Sequence, residues 1–342
     1  MTEETTPHHE PDESSETVRT ESWPCDQAAE LELSIDVGRI DVGLTDDATT
    51  VEVELRAEES RRGNWTKGLS GVLNWLGEST GPSGSIRVGG HDISFGGRDF
   101  PFGGPDFDLS DLKGLDLEAE AVRAAEITWS ETGKRLVVHS PTRMPLRIVP
   151  LVLTVRAPSR SQVLLRTGSG QITVTGQCGQ AKVRTSSGDV ELDTVSGDLH
   201  LSTGSGEAAA RVVSGRTKAK TGSGNLTLAT LDGSAQVTAG SGDVRLGTVR
   251  ADVNAHTGSG DLSVDDAERG QLTLATGSGD LRVGVHSGVA AELDLHSNSG
   301  RARSELEVSD VAPSQGPAAL RIHGRAGNGD VLVTRALTVA TA

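Results

Sequence analysis

The chain has 342 residues and a formal net charge of −16, which leaves ample room for a core but excludes a general nucleic-acid binder, because no global positive field gathers phosphates. Its 43 Gly, 4 Trp, 4 Phe and no Tyr are too few aromatic rings for an ordinary mixed fold, yet the aliphatic content suits stacked short strands. No apolar run approaches the roughly 20 residues that cross a bilayer, and the N-terminus lacks the basic and apolar segments of a secretory signal, so a cytoplasmic location is expected.

Residues 1–29 read as a disordered acidic tail: carboxylates crowd it, Arg19 is its one basic residue besides histidine, and it offers little apolar surface to bury. Cys25, beside this tail, and Cys178 match no metal spacing and are expected to be free thiols. Residues 30–148 form an N-terminal β region. In it, "LELSIDVGRIDVGL" (31–44) and "TVEVELRAE" (50–58) place apolar side chains at every second position, the period of a strand with one buried face. Further strands are expected over 121–155.

An insertion at 61–118 interrupts this region. Trp65, Leu69, Leu73 and Trp75 fall at helical spacing within "NWTKGLSGVLNWLGE" (64–78). A Gly-rich loop follows, carrying Phe95, Phe100, Phe102 and Phe107. Aromatic residues concentrated in an aromatic-poor chain invite a docking reading; the plainer reading is a helix that caps a stacked fold, with a loose loop. Membrane contact is weakly supported, since Lys67 is the one cation within the helical stretch.

From residue 149 to 342 a repeat takes over. Glycine motifs begin at Thr167, Thr185, Thr203, Thr221, Ala239 and Thr257, each 18 residues after the last, and later ones at Thr276, Ser297 and Ala326 are more widely spaced. The stretch 149–166 has the length and pattern of a unit preceding them. With the Thr as position 1, apolar residues stand at positions 6 and 8 (Leu262, Val264) and at 15 and 17 (Val253, Ala255), two short strands per unit. Gly interrupts each unit twice, which excludes a helix. The expected fold is all-β: a parallel β-solenoid of about ten two-strand rungs, with the N-terminal β region and the helix/loop insertion attached. The Thr at position 1 should face inward, bonded to backbone or to a neighbouring Thr, and the 203–220 unit, filled by Ala208, Ala210, Thr217 and Ala219, should be the thinnest.

"TGSGDLSV" (257–264), "TGSGDLRVGVHSGVAAELDLHSNSGRARSEL" (276–306) and "RAGNGDVLVTR" (325–335) resemble a bacterial β-strand-repeat family of unknown function, described as candidate adhesins and common in actinobacteria. The resemblance spans roughly residues 30–340. It implies a β-solenoid without enzymatic activity, and it carries over no site residue.

Chemistry finds little purchase. The Gly-Ser-Gly turns lack the following helix and lysine of a phosphate loop. Asp189, Asp243, Asp261 and Asp280 stack at position 5 and suggest calcium, but Gln171, Glu207 and Asn225 interrupt the column, and solvated turn carboxylates are the better account. No cofactor, metal or catalytic set is expected. One outward stripe differs from the average charge: Lys182, Arg184, Arg216, Lys218 and Lys220, with Arg166, His200 and His256 near them. It either receives an anionic partner, such as the acidic tail, or keeps the rod soluble. The expected function is a non-enzymatic scaffold for a protein partner or for self-association. The alternatives are a cytoskeletal-type polymer joined through strand edges at the uncapped "VLVTRALTVATA" end, an exported adhesin, and, last, a β-helix enzyme acting on polysaccharide.

Overall fold

A computed structural model describes residues 18–58, 84–88, 91–95, 117–307 and 319–336. Its regular unit is legible in the rung 253–267. In the strand Val253–Thr257, Val253, Ala255 and Thr257 are buried while Asn254 and His256 are exposed; after the Gly258-Ser259-Gly260 corner, Leu262, Val264 and Ala267 are buried in the strand Leu262–Ala267. Equivalent strands of successive rungs pair in parallel and in register, Val253 beside Ala235 and Leu262 beside Val244. Two stacks of strands result, and their inward side chains merge into one hydrophobic core. Each fully buried Val or Leu contributes about 1.5–3 kcal/mol, so the core, not local propensity, holds the rungs together. The fold is an all-β solenoid.

The corner glycines answer to crowding between rungs. Gly188, Gly206, Gly224, Gly242, Gly260 and Gly279 form one column, and a Cβ added at any of them would lie 1.8–2.1 Å from the carbonyl oxygen of the glycine one rung before. None of these six has a left-handed φ. Position 5 beside them has a structural duty as well. Asp261 N–H donates to Asp243 Oδ1 at 2.8 Å, Asp280 N–H to Asp261 Oδ1 at 2.8 Å, and Asp330 N–H to Asp280 Oδ1 at 3.0 Å. Asn225 serves the same purpose for Asp243 N–H. The column satisfies corner amides, which is why Asn alternates with Asp in it.

The inward threonines stand as expected: Thr167, Thr185, Thr203, Thr221, Thr257 and Thr276 are buried. The hydroxyls of Thr203, Thr221, Thr257 and Thr276 bond glycine carbonyls of the corner, as Thr221 Oγ1 does to Gly224 O at 2.8 Å and Thr276 Oγ1 to Gly260 O at 3.0 Å, and not one another. Thr167, Thr185 and Thr217 Oγ1 are buried without a hydrogen-bond partner among the described residues. Ala208, Ala210, Thr217 and Ala219 do line the core of one continuous stretch, all buried.

At both ends the rungs leave chain order. The strand Glu30–Thr45 lies between the strands Arg135–His139 and Leu151–Pro158 on one side and Gln162–Cys178 on the other. At the far end, Leu320–Ala326 lies between Gly270–Thr276 and Ala291–Ser297, and Val331–Arg335 lies between Leu281–Val285 and Ala302–Ser304. Each time a segment nearer the chain terminus is intercalated beneath the last parallel rung, and at the N-terminal end the antiparallel strands Glu126–Ser130, Thr50–Ala57 and Val18–Pro24 lie outside that rung.

This arrangement corrects four expectations. The stretch 149–166 is divided between two rungs, because Glu30–Thr45 occupies the place of the preceding unit. Residues 30–148 and 149–342 therefore share one sheet and one core. The "VLVTR" strand is flanked on both sides and is no open edge. The tail is shorter than residues 1–29, since Val18–Pro24 is a strand antiparallel to Thr50–Ala57.

The stretch 121–155 begins in a helix, Leu117–Ala124, that buries Ala119, Ala121 and Val122 at the N-terminal end of the core. Beside it Trp23 and Trp129 stack with ring centroids 5.7 Å apart. Arg19 ties strand to helix end by donating to Ala125 O at 2.8 Å. No helix among the described residues is long and apolar enough to cross a membrane.

Candidate interaction face

In the first stack, alternate residues must point outward, and the in-register pairing turns them into columns running along the solenoid. One column reads Lys182, His200, Lys218, Gln236; its neighbour, next to the glycine corner, reads Arg166, Arg184, Ser202, Lys220. All of these cations are exposed. Strand spacing of about 4.8 Å sets five of them, Arg166, Lys182, Arg184, Lys218 and Lys220, within four rungs. None has an ion-pair partner among the described residues. Arg216 differs from them. It pairs with Asp198 at 2.7 Å, and its guanidinium holds that carboxyl below the usual carboxylate range. Beside Lys218 the face dips into an open groove of about 540 Å³, lined with Asp198, His200, Gln236 and Asn254.

The second stack presents the opposite electrostatics. Arg211 bonds Asp193, Arg245 pairs with Asp265 at 2.9 Å, and Arg282 with Asp280 at 2.8 Å. At the adjoining corner Arg250 reaches Glu268 at 2.9 Å and Asp232 at 3.1 Å, one rung to each side. These hydrogen bonds hold Asp193 and Glu268 below their ordinary range.

Asp266, Glu268 and His286 bring ligand atoms within 4.8 Å of one another on this side. His286 Nδ1 already meets Asp266 at 2.9 Å, and Arg250 already neutralises Glu268. The thiols of Cys25 and Cys178 are free and buried, and burial pushes Cys178 up to about 11, which makes it a poor nucleophile.

Of the candidate residues, the structure thus gathers Lys182, Arg184, Arg216, Lys218 and Lys220 on one face. Phe95 ends the strand His91–Phe95, antiparallel to Gly84–Val88. Trp65, Leu69, Leu73, Trp75, Phe100, Phe102 and Phe107 lie outside the described residues. Sequence reasoning passed over the two remaining aromatics, Trp23 and Trp129, which stack at the end of the core. Their rarity in this chain was the available signal. It also passed over the ion pairs of the second stack, although an 18-residue offset from Asp193 to Arg211 and from Asp232 to Arg250 foretells them once the period is known.

No curated protein sequence matches the chain. Among solved structures, a candidate adhesin from Parabacteroides merdae is 10% identical, over 93% of this chain and 97% of its own, with a TM-score of 0.41. One from Bacteroides fragilis is 9% identical, over 93% and 98%, with a TM-score of 0.38. A candidate cell adhesion protein from Clostridium sporogenes is 8% identical, over 93% and 99%, at 0.24. The profile of the family described as Toastrack DUF4097 matches residues 153–239 and 208–334, together more than half of the chain. A β-solenoid turned on glycine corners, matched over that length, makes this chain a member of the Toastrack DUF4097 family.

Proposed function

We propose that this protein is a non-enzymatic, cytoplasmic interaction scaffold, whose first stack offers a cationic face to an acidic protein partner. The observation that carries the reading is the run of Arg166, Lys182, Arg184, Lys218 and Lys220 without ion-pair partners among the described residues, on a chain of net charge −16. A rigid array of unpaired cations attracts an anionic surface over about a Debye length, some 8 Å at physiological salt, and fixes its register. Against an enzyme stands the uniformity of the rungs, in which Asp193 and Asp198 are engaged with arginines and Asp243 and Asp261 with corner amides.

The test is binding of a fluorescent poly-L-glutamate peptide. The probe should bind at low salt, release as salt rises, and lose at least tenfold in affinity in R184E/K218E/K220E, while R211E/R245E/R282E on the second stack binds as wild type. Equal loss in both triple variants would overturn the assignment to this face.

A further inference from the structure

We propose that the first occupant of this face is the chain's own N-terminal segment, residues 1–17, docked in cis; the inference rests on the cationic reading above. Three observations converge on it. The first is charge. Residues 1–17 carry Glu3, Glu4, Glu10, Asp12, Glu13 and Glu16 and no Lys or Arg, whereas the insertion 59–116 mixes carboxylates with Arg61, Arg62, Lys67, Arg87, Arg98 and Lys113. The segment 308–318 holds Asp310 as its one charged residue, so the N-terminal segment is the one multiply charged, one-signed complement to the face among the residues outside the described ones.

The second is the exit point. Val18 stands opposite Arg56, Arg56 opposite Val152, Val152 opposite Arg39, and Arg39 opposite Gln171. Gln171 directly follows the corner Gly168-Ser169-Gly170, and Arg166 precedes that corner by one residue beyond Thr167. The chain therefore leaves the fold on the corner side, and the column of Arg166, Arg184 and Lys220 runs along that same corner.

The third is reach. From the strand of Val18 to the rung of Arg166 is four strand spacings, and to the rung of Lys220 seven, about 19 and 34 Å at 4.8 Å each. Seventeen residues extend to about 56 Å, enough to turn the corner and lie along the column. Tethering gives the segment an effective concentration in the millimolar range, so individually weak surface pairs suffice to hold it, and an external acidic partner must displace it.

Two measurements test this on the full chain. Zero-length carbodiimide coupling followed by peptide mass mapping should join carboxylates of residues 1–17 to Lys182, Lys218 or Lys220 within a single chain. In parallel, the variant E3Q/E4Q/E10Q/D12N/E13Q/E16Q should bind the poly-L-glutamate probe about tenfold more tightly than wild type, with the gain vanishing at high salt and in combination with R184E/K218E/K220E. If wild type and the neutralised variant bind the probe equally, both through Arg184, Lys218 and Lys220, and no such links form, docking in cis is wrong and the cationic face stands. If neither binds the probe, the face itself is misread and the inference falls with it. Links found only between chains, with an oligomer in light scattering that the neutralised variant lacks, would overturn docking in cis in favour of exchange between copies.

Discussion

Between residues 163 and 221 the two outward faces of the solenoid are built from the same rungs, yet most of their cations are treated differently. On the second stack and its corner, arginines lie one rung from a carboxylate, and Arg250 bridges two rungs at once. On the first stack, Arg166, Arg184, Lys182, Lys218 and Lys220 face solvent and none forms an ion pair among the described residues. Stacking in register amplifies either choice, because a residue type repeated at one position becomes a column. Paired columns serve the rod; the unpaired column leaves its charge to the solvent.

What the faces share is the frame, and breaking it should have the largest effect. Gly224→Ala would put a Cβ 1.9 Å from Gly206 O, so the two rungs must part. A loss of about 3 kcal/mol is expected in urea unfolding, and a loss under about 0.5 kcal/mol would mean the corner is looser than the structure has it. Next comes Thr217→Val. Its hydroxyl is buried without a partner in the first stack, so the isosteric change should raise stability by about 1 kcal/mol. No gain would show that the hydroxyl has found a partner.

The comparison itself is sharpened by paired single substitutions. Arg250→Ala should cost on the order of 1 kcal/mol, modest because the side chain is partly solvated. Lys218→Ala should leave stability within about 0.5 kcal/mol of wild type. Equal losses would erase the distinction between the faces. Acid offers the smallest test. Asp193 and Glu268 are held low by Arg211 and Arg250, so their contribution is fully present above the unfolded carboxylate range, about pH 4, and is lost as pH falls through the folded value. The stability gap between wild type and R211A/R250A should be constant near neutrality and close below about pH 4; a gap that widens in acid would contradict the sign of those shifts.

Much of this was legible beforehand because a period of 18 makes every register equivalent. Val253, Ala255, Leu262 and Val264 announce two strands and a corner, and Thr257 announces its own burial. The role of Asp261 was not legible, since its carboxylate serves an amide in another rung and a turn aspartate looks the same whether solvated or bonded. The site residues Lys182, Arg184, Lys218 and Lys220 could be placed on one outward stripe by spacing alone. That Arg216 is tied to Asp198 while they are not required the side chains.

By itself the sequence determined the rung: alternation, glycine corners and period fix what one turn of the solenoid must be, because those are local constraints of sterics and burial. Only the tertiary structure decided the order of the rungs at the ends. Glu30–Thr45 and Val331–Arg335 carry strand patterns that could pair with any neighbouring edge, and nothing local tells an intercalated strand from a terminal one. The choice rests on which exposed edge and which patch of core each segment covers, a property of the assembled sheet rather than of the segment.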